Sequence, residues 1–159
     1  MPDPGASFKG TYREEAWRRC GRMAESDGIV FTPWPHTDRY PNWSLPALEA
    51  AKCVSRQAPE LFGPVHIRLY AAFFTDSRNI ADRRDVERIV ADTGIDAERF
   101  RADYRAGVGR DEVLADYKEA AQDGVRSIPT VILPATGQAL VGLADLAQYR
   151  AAIQDAARC

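Results

Sequence analysis

A chain of 159 residues with 45% hydrophobic side chains and a formal net charge of -2 is long enough to bury a real core and reads as one soluble domain. Its 21 basic and 23 acidic residues are interleaved, which leaves no basic face for nucleic acid and no acidic tail. No apolar run reaches the roughly 18 residues of a membrane-spanning helix, and "MPDPGASFKG" has no signal-peptide core, so a cytoplasmic protein without membrane attachment is expected.

Residues 1–10 are small and proline-rich, the composition of a loose terminus. "TYREEAW" then offers a capping box, Thr11 with Glu14, and predicts a helix over 12–26 whose apolar stripe is Ala16, Cys20, Met23 and Ala24. Asp27-Gly28 ends it, and "IVFT" at 29–32 reads as a short strand stopped by Pro33. The aromatic, three-proline stretch "PWPHTDRYPNW" excludes regular structure and is expected to line a groove. Residues 44–56 read as a buried helix with Pro46 in its first turn. Pro59 opens another, whose stripe of Phe62, Val65, Leu69 and Phe73 is widened by Tyr70 and Phe74.

Three shorter amphipathic helices follow at 83–92, 97–106 and 110–122, punctuated by Gly94, Gly107 and Gly124. The last of them places Val113, Tyr117, Ala120 and Ala121 on one face. "TVIL", the turn "PATGQ" and "ALVG" predict a β-hairpin, and a final helix from Asp145 is expected to bury Leu146, Tyr149, Ile153 and Ala156. The fold class is therefore α/β, mostly helical, in a single domain over 1–159.

Pro129 stands at the mouth of the "TVIL" strand, where a residue without an N–H belongs at a first position, an edge or a bulge. Cys20, Cys53 and Cys159 are too scattered for a disulfide framework or a zinc site, and Cys20 and Cys53 read as small buried hydrophobes. His36, beside Trp34, Tyr40 and Trp43, is the histidine best placed in a groove, whereas His66 reads as a satisfied core histidine. Asp145 reads as a helix N-cap.

The order helix, Gly124, Ile128-Pro129, strand, turn, strand, helix resembles the C-terminal half of a thioredoxin fold. There an X-Pro bond is cis before a strand, and the backbone ahead of it faces a bound thiol or peptide. Upstream, "PNWSLPALEAAK", "RLYAAFFTDSRNIADRRDVERIVADTGIDAERFRADY" and "GVGRDEVLADYKEAAQDGVRSIPTVIL" resemble the DsbA-like branch, with its helical insertion at about 44–123. Residues 124–159 then supply the cis-proline strand, hairpin and last helix. One departure stands out, since no Cys-x-x-Cys occurs and only about a dozen residues precede the first helix. The chain reads as a family member without its N-terminal unit: a shortened gene product, a frame opened at an internal start, or a half completed by another chain.

The resemblance implies a thiol-disulfide oxidoreductase-like protein without its own redox cysteine pair. Ile128 and Pro129 would meet a thiol, Asp145 would contact the amino end of glutathione, and catalytic residues stay unassigned. A second reading is a glutathione-dependent isomerase or transferase similar to the 2-hydroxychromene-2-carboxylate enzymes, with Trp43 and its aromatic neighbours lining a pocket for a small aromatic ligand. A third is a non-catalytic binding or assembly module. No bound cofactor or metal is implied, glutathione entering only as co-substrate. A sheet edge left open by missing strands favours a homodimer.

Overall fold

A computed structural model of the chain describes residues 8–35 and 40–158. They form two compact units, the first ending at Leu114 and the second beginning at Ala115.

The first unit is helical. Helix α1, Tyr12–Ala24, starts at Thr11, whose hydroxyl accepts from the Arg13 N–H. Glu14 does not close the expected capping box on Thr11 but takes the Gly10 N–H at 2.7 Å. The buried face of α1 is centred on Trp17, not on the expected stripe, and Cys20 and Met23 point to solvent. The reason is the aromatic cluster beside it. Trp17 packs against Phe8, Phe31, Tyr40, Phe73 and Phe74 with ring centroids 5.0 to 6.4 Å away, and the helix rolls to bury the largest apolar side chain.

Residues 29–32 form no strand. No β-partner lies beside them among the described residues. Their polar groups bond instead to helix ends and side chains: Thr32 N–H to the Phe74 carbonyl at 2.8 Å, Ile29 N–H to the Ala24 carbonyl, and the Thr32 carbonyl to Trp17 Nε1 at 2.9 Å.

Helices α2 (Leu45–Gln57), α3 (Phe62–Phe74), α4 (Arg83–Ala91) and α5 (Ala97–Ala106) pack around one core of Ala50, Cys53, Val54, Val65, Leu69, Val86, Ile89, Val90, Phe100 and Tyr104. Pro46 sits in the first turn of α2, and Asp82 and Asp96 cap α4 and α5 through their carboxylates. Each fully buried Val, Ile or Phe in such a core contributes about 1.5–3 kcal/mol. Phe62 and Tyr70, expected on the buried stripe of α3, are instead largely exposed. The core closes over Val65, Leu69 and Ala72, leaving those two rings on its rim.

Helix α6, Arg110–Gln122, spans the junction of the two units and buries none of its side chains. The face marked by Val113, Tyr117, Ala120 and Ala121 is therefore a correction: Tyr117 and Ala121 are exposed. Helical spacing can line up a face, but burial needs an element packed over it, and among the described residues α6 buries none of its side chains.

Strands β1 (Thr130–Leu133) and β2 (Gln138–Val141) pair antiparallel, with Thr130 opposite Val141 and Leu133 opposite Gln138. Helix α7, Leu146–Ala156, packs on β1. Of its expected apolar face only Ala152 is buried, while Tyr149 and Ala156 are half-buried and Leu146 and Ile153 are exposed. A two-stranded sheet is too narrow to cover the wide stripe of an amphipathic helix.

Candidate functional site

The mouth of β1 is built by short local bonds. Thr130 Oγ1 donates to the Ser127 carbonyl at 2.7 Å, and the Gly142 N–H donates to the Pro129 carbonyl at 2.8 Å, extending the ladder by one position beyond Thr130 and Val141. Pro129 thus loses nothing by lacking an N–H, because it sits where the ladder begins. The Ile128–Pro129 peptide is cis. Ile128 is 90% exposed, an unusual position for a branched aliphatic side chain, and it presents the loop to solvent. Gly142 has φ +81°, in the left-handed region that glycine adopts readily, and turns the chain from β2 toward α7.

Asp145 lies three residues beyond Gly142 and heads α7. Its Oδ1 accepts the Gln148 N–H at 2.8 Å, and Gln148 Oε1 accepts the Asp145 N–H at 2.8 Å, a complete capping box. The same second unit thus holds Ile128, Pro129 and Asp145, with the Asp145 carboxylate engaged by its own helix. Trp43 is in the first unit, partly exposed, just ahead of Ser44 at the start of α2.

Of the aromatic residues expected to line a groove, Trp34 and Tyr40 pack into a core cluster while Trp43 stays exposed. Trp34 is buried, and Tyr40 stacks on Phe8 at 5.0 Å and meets Trp34 edge-on at 5.5 Å. Burial raises the Tyr40 phenol above its ordinary range, against the opposing pull of Arg13. His36 lies outside the described residues, as does Cys159. His66, expected to be a satisfied core histidine, is half-buried between Phe62 and Tyr70, its ring centroid 5.4 and 5.1 Å from theirs. Its Nδ1 has no hydrogen-bond partner among the described residues.

Cys20, expected to be buried, is exposed, because α1 turns Trp17 inward in its place. Cys53 is buried as expected. Burial pushes its thiol up, against the opposing pull of the nearby Gly109 backbone. The two thiols therefore differ in access, and neither is half of a close dithiol pair in the sequence.

The feature that sequence reasoning missed is Glu49, buried in the middle of α2. Arg110 Nε donates to its Oε1 at 2.6 Å and Arg83 donates to its Oε2, while Arg83 also donates to the Tyr104 carbonyl. Both carboxylate oxygens are engaged, which makes this a tie between helices and not a ligand site. The signal was present in "LPALEAAKCV", where Glu49 is one turn before Cys53 on an apolar face.

A bundle of α-helices followed by a β-hairpin and a closing helix, with an exposed X-Pro loop at the mouth of the first strand, agrees with the thioredoxin-like fold with a helical insertion that the sequence resembles. The chain belongs to the DSBA-like thioredoxin domain family, whose model matches residues 18–154. It is similar in structure to "a putative protein disulfide isomerase from Nitrosomonas europaea", with a TM-score of 0.69 and 18% sequence identity. The similarity covers 88% of this chain and 66% of that one, just under two thirds of its length. No curated protein matches the chain in sequence. Among the described residues, no helix is long and apolar enough to cross a membrane.

Proposed function

We propose that the chain is a thiol-disulfide oxidoreductase-like domain that receives a thiol- or disulfide-bearing ligand at the Ile128–Pro129 loop and carries no dithiol pair of its own. The observation that supports this most directly is the position of that loop. It is open to solvent, anchored on both sides by the Thr130–Ser127 and Gly142–Pro129 bonds, and lies inside the stretch that matches the family. Backbone groups beside Ile128 can hydrogen-bond an extended ligand, while the Asp145 carboxylate is occupied by its capping box and acts as support.

Dithiol exchange needs one thiolate to attack a disulfide and a second thiol to resolve the mixed disulfide. Cys20, Cys53 and Cys159 have no such spacing in the sequence, so turnover requires a thiol that these 159 residues do not supply as a close pair. Glutathione is the smallest ligand of the right class, and a cytoplasmic setting, where lone thiols stay reduced, fits this reading. A glutathione-dependent isomerase pocket between Trp34 and Trp43 finds less support, since Trp34 is packed into the core.

Two measurements on the same chain test the proposal. Insulin reduction by the chain alone is expected to stay at the uncatalysed rate, and titration with oxidised glutathione is expected to shift the amide signals of Ile128, Thr130 and Gly142. Catalysed insulin reduction would refute the absence of a dithiol function. Unchanged signals at millimolar glutathione would refute the loop as a thiol site.

A further inference from the structure

The second unit carries a surface that thiol binding leaves unused. The Gly142-to-Pro129 bond marks that pair as a hydrogen-bonded position of the ladder, and antiparallel alternation makes Val131–Leu140 and Leu133–Gln138 the next ones. The N–H and C=O groups of Thr130 and Ile132 on β1, and of Ala139 and Val141 on β2, therefore point away from the hairpin. On the β1 side Thr130 folds its hydroxyl back onto Ser127, and α7 packs on the strand. On the β2 side Ala139 and Val141 are exposed, Val141 by 65%, with Leu143 exposed just beyond.

Edge strands of this kind are ordinarily guarded by a lysine, a proline or another charge. Here there is no guard, because no charged residue occurs between Arg126 and Asp145 in a chain that is otherwise 28% charged. An isologous contact sets each residue of a patch against the same patch, so a charge near the axis would face its own copy. A neutral edge suits self-pairing and gives a charged partner nothing to select.

We propose that a second copy of the chain pairs along the free edge of β2. The two β2 strands run antiparallel about a two-fold axis at Leu140, with Ala139 of each copy opposite Val141 of the other. Each of those pairs exchanges two backbone hydrogen bonds, and the hairpins join into a four-stranded sheet in the order β1-β2-β2-β1. An edge of four residues buries little area, so the dimer is reversible and concentration-dependent.

Sedimentation equilibrium of the full chain over a dilution series, with reductant present so that exposed Cys20 cannot cross-link, tests this. The mass is expected to rise from monomer to dimer and level there. Ala139→Pro removes one outward N–H per copy without touching the hairpin's own ladder, and Val141→Lys sets two like charges diagonally across the axis on one face of the sheet. Losing two hydrogen bonds per dimer weakens association by at least about tenfold. Ala135→Lys, in the turn, is expected to leave it unchanged. Far-UV circular dichroism checks the fold of each variant, and if Ala139→Pro perturbs it, Val141→Lys alone decides the test. A monomer at every concentration, growth past the dimer without a plateau, or a dimer indifferent to Val141→Lys would each overturn the proposal.

Discussion

Arg110 Nε donates a 2.6 Å hydrogen bond to Oε1 of Glu49, tying the first turn of α6 to the middle of α2 across 61 positions of sequence. Arg83 reaches the other oxygen from α4, with its guanidinium carbon 4.1 Å from the centroid of the Tyr104 ring. Three helices are thus joined at one carboxylate that is itself 1% exposed, while the two arginines keep part of their surface in water. Glu49→Ala leaves both arginines without their acceptor, yet each can turn toward solvent. The expected loss of stability is about 1–3 kcal/mol, read from the urea midpoint, where a full buried charge would cost more.

The same carboxylate gives stability an acid limb. Burial pushes Glu49 up, but the hydrogen bonds and charges of Arg110 and Arg83 outweigh it and hold the group below the usual carboxylate range. An unfolded glutamate titrates near 4.3, so the stabilisation is fully present above that pH and is lost as pH falls through the lower folded value. The stability difference between the wild type and Glu49→Gln is therefore expected to be largest at neutral pH and to shrink below about pH 4. Urea denaturation of both proteins at several pH values checks this, and a difference that grows on acidification would contradict it.

Gly109 lets α2 and the start of α6 approach closely. A Cβ there would lie 2.4 Å from the Glu49 carbonyl oxygen and 2.9 Å from Lys52 Cβ, and a helix carbonyl has little freedom to retreat. Gly109→Ala is expected to destabilise by about 1–3 kcal/mol through overpacking. Cys53 is buried one turn from Glu49 on the same helix, so faster alkylation of its thiol as the packing loosens is a second readout.

Thiol labelling separates the cysteines in the native protein. Cys20 is exposed, whereas Cys53 is enclosed in the helical core and its thiol is raised by burial. Brief treatment with iodoacetamide followed by peptide mapping is expected to modify Cys20 and spare Cys53 until denaturant is added. Equal labelling of both in the native state would show that the core opens at α2.

Trp17 links the segment 29–32 to the helices. Its Nε1 donates to the Thr32 carbonyl, and its ring is surrounded by Phe31, Phe73 and Phe74. Trp17→Phe removes the hydrogen bond while keeping an aromatic ring, for an expected loss of about 1 kcal/mol or somewhat more. Trp17→Ala is expected to cost about 3–5 kcal/mol. Thermal unfolding of the two variants distinguishes the bond from the packing.

Local signals in the chain determined the helices from α2 to α7, the hairpin and the Asp145 cap. Periodicity, capping residues and glycine stops act within a few positions, and sequence displays them directly. The order of elements around Pro129 was likewise legible and led to the family, as was the lack of a Cys-x-x-Cys, which sets the chain apart within it. Tertiary structure alone decided which apolar faces are covered. Cys20 and Trp17 lie on one short helix, and only the ring cluster around Trp17 turns one in and the other out. The apolar stripes of α6 and α7 look equally buried in sequence, yet their covering depends on what packs opposite, which is a narrow hairpin for α7. Glu49 is the sharpest instance: its two arginines come from positions 83 and 110, and only the folded chain brings three charges so distant in sequence to one buried point.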